Sequence, residues 1–138
     1  MWMNNTEKIP VVLVIDDEPI VLETFKVIFD NHFKVLTAAS GRQALDIITK
    51  ASVNLIFLDI NIPDMNGIEV LYKIKEYNKN IPVIVVTATE DVDIQLEAKR
   101  LGIDDYISKP FDVEEVIALA HKTIKNKINI YMEESSRF

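Results

Sequence analysis

Three short runs in this chain, residues 11–15, 54–58 and 82–87, are almost wholly apolar, with no polar alternation. A strand wetted on one face alternates apolar and polar side chains; a strand covered on both faces does not. Between the runs, apolar residues recur at helical spacing, as in Val21, Phe25, Ile28 and Phe29. Strand-length runs alternating with helices are βα units, and βα units build a parallel sheet. The expected fold is an α/β single domain: a five-stranded parallel sheet, doubly wound, in a (βα)5 arrangement. Residues 33–39 and 105–108 supply the remaining strands. Helices are expected from Pro19, which suits a first turn, and over residues 41–50, 68–77 and 91–101, the last closed by Gly102. Asp112 can cap a final helix with Val113, Val116, Ile117, Ala120 and Ile124 on one face.

The runs end in chemistry. Counted as strands in chain order, the first meets Asp16-Asp17, the third (54–58) Asp59 and the fourth (82–87) ends at Thr87, while the short fifth (105–108) ends at Lys109-Pro110. In an open parallel sheet these groups share one edge, where such sheets bind ligands. Three carboxylates at ~5 Å repel by about 3 kcal/mol per pair at an effective dielectric near 20. A cation in their midst relieves this. With oxygen donors only, it should be hard, Mg2+ first and Mn2+ as a substitute. Three carboxylates, one ammonium and one divalent ion then sum to zero. Taken singly, each residue has a blander role: Asp16-Asp17-Glu18 as a helix cap, Asp59 and Lys109 as loop charges, Thr87 as a strand end. All of them falling at successive strand ends is what favours a site.

Composition narrows the partners. A net charge of −7 argues against direct nucleic-acid binding by this domain, and the absence of Cys excludes thiolate metal sites. With 49% hydrophobic residues over 138 positions, one packed core is expected. No apolar run reaches the roughly 18 residues a membrane span needs, so no membrane role is expected and the reading is cytoplasmic.

The order DD, D, T and K-P over residues 10–125 resembles the receiver domain of bacterial two-component response regulators, the CheY-like group of the flavodoxin-like folds. The resemblance implies a strand order 2-1-3-4-5 and a phosphoacceptor at Asp59, modified by a sensor histidine kinase or a histidine phosphotransfer protein. It implies Mg2+ on Asp17, Asp59 and the Asn61 backbone carbonyl, with Asp16 acting largely through water. Thr87 and Lys109 would hold the phosphoryl oxygens, and the Lys109–Pro110 bond would be cis. Thr87 and Tyr106 would form the switch that alters the surface of the fourth helix, fifth strand and fifth helix, where an output domain or effector docks. Asn61 and Thr89 occupy positions that tune hydrolysis. Such a domain catalyses its own modification and slow dephosphorylation and is not otherwise an enzyme.

Alternatives fare less well. A flavin or nucleotide module needs a Ser/Thr/Gly-rich loop where this chain has Asp16-Asp17-Glu18-Pro19. A haloacid-dehalogenase-like phosphatase needs a second Asp where Asn61 stands. A pseudo-receiver that binds without phosphorylation is the remaining alternative, against intact key positions. Leu119 stands where winged-helix regulators carry a basic residue; it is expected to be an exposed apolar contact, leaving at most a weak dimer. His32 and His121 are expected to be solvated and without partners. The expected division is an arm over 1–9, the receiver over 10–126 and a tail or linker over 127–138. Asn126 and Asn129 should weaken the last helix, with 133–136 as solvated linker. The chain reads as the excised first part of a longer regulator or kinase somewhat better than as a stand-alone receiver.

Overall fold

The apolar runs form the strands β1 (Val11–Ile15), β3 (Leu55–Leu58) and β4 (Val83–Thr87), flanked by β2 (Lys34–Ala38) and β5 (Asp105–Ser108). All neighbours pair in parallel, in the order β2-β1-β3-β4-β5. Five helices separate or follow them: α1 (Pro19–Ile28), α2 (Gly41–Lys50), α3 (Gly67–Tyr77), α4 (Val92–Arg100) and α5 (Val113–Ser136). The computed structural model describes residues 9–136; Trp2 and nearly all of the N-terminal arm lie outside the described residues.

Continuous apolar strands are explained by two cores. Successive strand side chains point to opposite faces. Leu13 and Ile15 of β1 therefore join Ile56, Leu58, Val83 and Val85 beneath α2, α3 and α4. Val12 and Val14 join Leu55, Phe57, Ile84 and Val86 beneath α1 and α5. On that second face Phe25 lies 5.1 Å from Phe57 and 5.5 Å from Phe29, ring centre to ring centre. Burying each such side chain contributes roughly 1.5–3 kcal/mol.

The helix ends follow local chemistry. Asp91 accepts from the amides of Asp93 and Ile94, and Asp112 from those of Glu114 and Glu115. Gly102 follows α4 at φ +91°, a backbone region that L side chains rarely adopt, and donates its N–H to the Lys99 carbonyl.

Several expectations need correction. Val113 is 39% exposed, not inward, because it sits in the first turn before α5 meets the sheet. Leu119 is partly buried and packs on the Phe-rich core, so it is not an exposed apolar contact. The helix also runs unbroken through Asn126 and Asn129 to Ser136, including the stretch expected to be linker. One Asn in a helix costs only about 0.7 kcal/mol relative to Ala. A helix already anchored by buried Val116, Ala120 and Ile124 needs no new nucleation to extend. His32 and His121 do have a partner, each other: Nδ1 of His32 lies 2.9 Å from Nε2 of His121, joining the turn after α1 to α5. Their separation of 89 residues hides this from the sequence.

Candidate functional site

Register brings the acids together. Ile15 pairs with Leu58, so the next residues, Asp16 and Asp59, leave adjacent strands side by side. The ladder continues one step further, with the Asp59 N–H donating to the Ile15 carbonyl at 2.9 Å and the Asp16 N–H to the Ala38 carbonyl at 3.0 Å. On the far side Thr87 pairs with Ser108, and the Lys109 N–H donates to the Thr87 carbonyl at 3.0 Å. The Lys109–Pro110 peptide bond is cis.

Each of the two inner carboxylates divides its oxygens between loop and lysine. Asp16 accepts from the Glu18 amide through Oδ1 at 2.9 Å and from Lys109 Nζ through Oδ2 at 2.7 Å. Asp59 accepts from the Asn61 amide through Oδ1 at 2.9 Å and from the same Nζ through Oδ2 at 2.8 Å. Asp16 thus holds the turn ahead of α1 and does not cap the helix, whose N-cap residue Glu18 makes no side-chain cap bond. The two acids are 2% and 5% exposed, whereas Asp17 faces solvent. Carboxylate oxygens of Asp16, Asp17 and Asp59 all lie within 4.8 Å of one another.

Burial alone would depress the Lys109 pKa. Its hydrogen bonds to Asp16 and Asp59 outweigh this and hold the ammonium above its ordinary 10.5. Burial pushes Asp16 upward, against the opposing pull of Lys109 and the Glu18 amide. By formal charge, one ammonium offsets only one of the three carboxylates, and a hard divalent cation is the group this oxygen-only donor set fits. Glu18, 3.5 Å from Lys109 Nζ, adds a further acid whose sequence position suggests only a cap.

Thr87 is fully buried, and its Oγ1 accepts from the Thr89 amide at 3.4 Å. Tyr106 is half-buried, with its hydroxyl donating to the Thr89 carbonyl at 3.1 Å. Thr87 and Tyr106 therefore both bond the backbone of Thr89.

Behind the site, the β3–α3 loop is fastened by contacts that no strand-end pattern reveals. Asp64 accepts from the amides of Gly41 at 2.9 Å and Arg42 at 3.2 Å, at the start of α2. The Gly41 and Arg42 amides hold its carboxyl below the usual carboxylate range. At the other end of the loop, a Cβ on Gly67 would stand 2.2 Å from the Ile60 carbonyl oxygen.

The response regulator receiver domain family matches residues 12–121 of the chain. The chain belongs to that family. It is 37% identical over 119 residues to sporulation initiation phosphotransferase F of Bacillus subtilis, spanning 86% of this chain and 96% of that protein. It is 35% identical over 115 residues to the transcriptional regulatory protein KdpE of Mycobacterium tuberculosis, spanning 83% of this chain but 50% of the regulator. The chain spans about half the length of the transcriptional regulators KdpE and CtrA. A CheY-like receiver domain from Methanospirillum hungatei superposes with a TM-score of 0.86 at 25% identity, covering 88% of this chain and 98% of that one. The beryllofluoride-activated DrrB receiver domain superposes at 0.79 with 26% identity, covering 86% and 99%. The fold and the two-component receiver function expected from the sequence are those of its family. No helix among the described residues is long and apolar enough to cross a membrane.

Proposed function

We propose that this receiver takes its phosphoryl group on Asp59, from a phosphohistidine of a sensor histidine kinase or a histidine phosphotransfer protein. The observation that carries this is the Asp59 carboxylate itself: 5% exposed, among acids, and facing a lysine ammonium at 2.8 Å. A carboxylate is a weak nucleophile, so the rate must come from positioning and charge neutralisation. An Asp59 oxygen attacks phosphorus; the P–N bond breaks and its electron pair stays on the imidazole nitrogen. The product is an acyl phosphate. Lys109 then turns its ammonium from the Asp59 oxygen to a phosphoryl oxygen, and the Thr87 hydroxyl donates to another. Asp16, Asp17, Asp59 and the Asn61 carbonyl are the groups that would hold Mg2+, with Mn2+ as a substitute. When bound, the ion neutralises charge on the phosphoryl oxygens.

The added group brings roughly −1.5 to −2 charges. Drawing the Thr87 hydroxyl toward it strains the contact with Thr89 and so disturbs the Tyr106 hydrogen bond. The outcome is a shift between two populated states of the α4–β5–α5 surface, where a downstream output domain or effector docks. The domain dephosphorylates itself slowly and is otherwise no enzyme. Residues 10–126 form the receiver, 1–9 its arm, and 127–138 a tail or linker whose first part continues α5. The setting is cytoplasmic.

Incubation with Mg2+ and acetyl phosphate should add one acid-stable, base-labile phosphoryl group to the peptide containing Asp59. Asp59→Asn should abolish it. An unmodified wild type, under conditions where a control receiver reacts, would favour the non-phosphorylated interaction module instead. Tyr106→Ala should accept the phosphoryl group at a rate within about twofold of wild type, because Tyr106 touches no reacting atom. It should lose most of the beryllofluoride-induced NMR shifts on α4 and α5. Retention of those shifts in full would remove Tyr106 from the switch.

A further inference from the structure

The β3–α3 loop carries Asn61, and its path is set by one anchor in the site and two outside it. Its first anchor is Asp59, whose Oδ1 takes the Asn61 amide at 2.9 Å. Its last is the contact of Gly67 with the Ile60 backbone. Between them Asp64 reaches across to α2 and accepts the Gly41 and Arg42 amides. Those amides are two of the orphan donors at a helix start. The third, Gln43 N–H, goes to the Ser40 hydroxyl at 3.1 Å. The helix thus completes its N-terminal cap with a side chain from the loop, 23 residues further along the chain.

A second, independent observation makes this a seat and not only a cap. A Cβ on Gly41 would lie 2.6 Å from Val70 Cγ2, 3.2 Å from Met65 Cβ and 3.3 Å from Ile62 Cδ1. The start of α2 therefore lies directly against the loop and α3, at a closeness only glycine permits. Ile62 and Ile60 are buried in the same core, so the loop cannot slide without opening it. The one backbone carbonyl that the proposed metal site borrows belongs to this loop, three residues before Asp64.

We propose that Asp64 is a positioning residue for the divalent-cation site, fixing the Asn61 carbonyl by tying its loop to the first turn of α2. This rests on the proposal that Asp16, Asp17, Asp59 and the Asn61 carbonyl hold a divalent cation. A metal ligand's outer partner fixes its orientation, and losing such a partner typically weakens binding by 10–100-fold. Here one ligand of several is affected and two other anchors remain. The expected loss is therefore smaller.

The test is a Mg2+ titration of the unphosphorylated protein, followed by amide NMR shifts, on wild type, Asp64→Ala and Asp64→Asn. Asp64→Ala should raise the Mg2+ dissociation constant ~3- to 10-fold, below the usual range for outer partners. Asp64→Asn keeps an acceptor oxygen and should recover more than half of that change. Gly41→Ala, which presses on the loop from the other side, should shift the constant in the same direction as Asp64→Ala. An Asp64→Ala constant equal to that of a wild type that does bind Mg2+ would overturn the positioning role. So would a lowered thermal midpoint without any change in Mg2+ affinity. A wild type that takes up no Mg2+ would instead overturn the cation site, and the positioning role with it.

Discussion

Lys109→Met should destabilise the metal-free domain by about 3 kcal/mol, the low end of the cost of breaking a buried ion pair by removing one partner. The lysine side chain is 14% exposed and is shared by the side chains of Asp16 and Asp59, which are 3% and 5% exposed. Without it these two carboxylates and Asp17 face one another with no cation. Mg2+ should restore part of the loss, since it supplies the missing charge. Urea denaturation with chelator and then with Mg2+ measures both effects. Pairing raises the Lys109 pKa above its ordinary 10.5, so its stabilisation is complete below 10.5 and fades as pH climbs through the higher folded value. The wild-type advantage should therefore be nearly constant from pH 7 to pH 9. Phosphorylation should slow by roughly 100-fold, the cost of deleting one donor to a developing anion. Equal stability of the two proteins in chelator would mean that the ion pairs contribute nothing.

The strand-end chemistry is legible in the sequence because parallel register converts sequence position into place. A residue that follows a buried strand must emerge at the carboxyl edge, so Asp16, Asp59, Thr87 and Lys109 can be placed from their runs alone. Other contacts obey no such rule. Asp64 comes from the β3–α3 loop and Gly41 from the first turn of α2, and His32 and His121 from a turn and a distant helix; only the packed structure sets their separations. Glu18 is hidden by its ordinary position before a helix. The continuation of α5 escapes a reading that weighs Asn propensity without the anchoring already provided by Val116, Ala120 and Ile124.

Gly67 and Gly102 separate two reasons for a glycine, and their alanine variants should differ accordingly. Gly102 has φ +91°, and a Cβ added there would meet nothing within 4 Å, so Gly102→Ala introduces only backbone strain, about 1–2 kcal/mol. Gly67 has an ordinary backbone, but its Cβ would stand 2.2 Å from the Ile60 oxygen and 2.4 Å from Ile60 Cα. Backbone atoms cannot rotate away as a side chain can. The first turn of α3 must move, carrying the Asn66 cap, whose Oδ1 takes the Ile68 amide at 2.9 Å. It would also pull on Ile60 and Ile62 in the core. Overpacking commonly costs 1–3 kcal/mol, and here a loss of at least about 3 kcal/mol is expected because the obstruction is main chain. The same displacement reaches Asn61, so Gly67→Ala should also weaken Mg2+ binding, whereas Gly102→Ala, beyond α4, should not. Urea midpoints and Mg2+ titrations of the two variants decide the matter: a Gly67→Ala protein no less stable than Gly102→Ala would show that the loop yields where the close packing against Ile60 says it cannot.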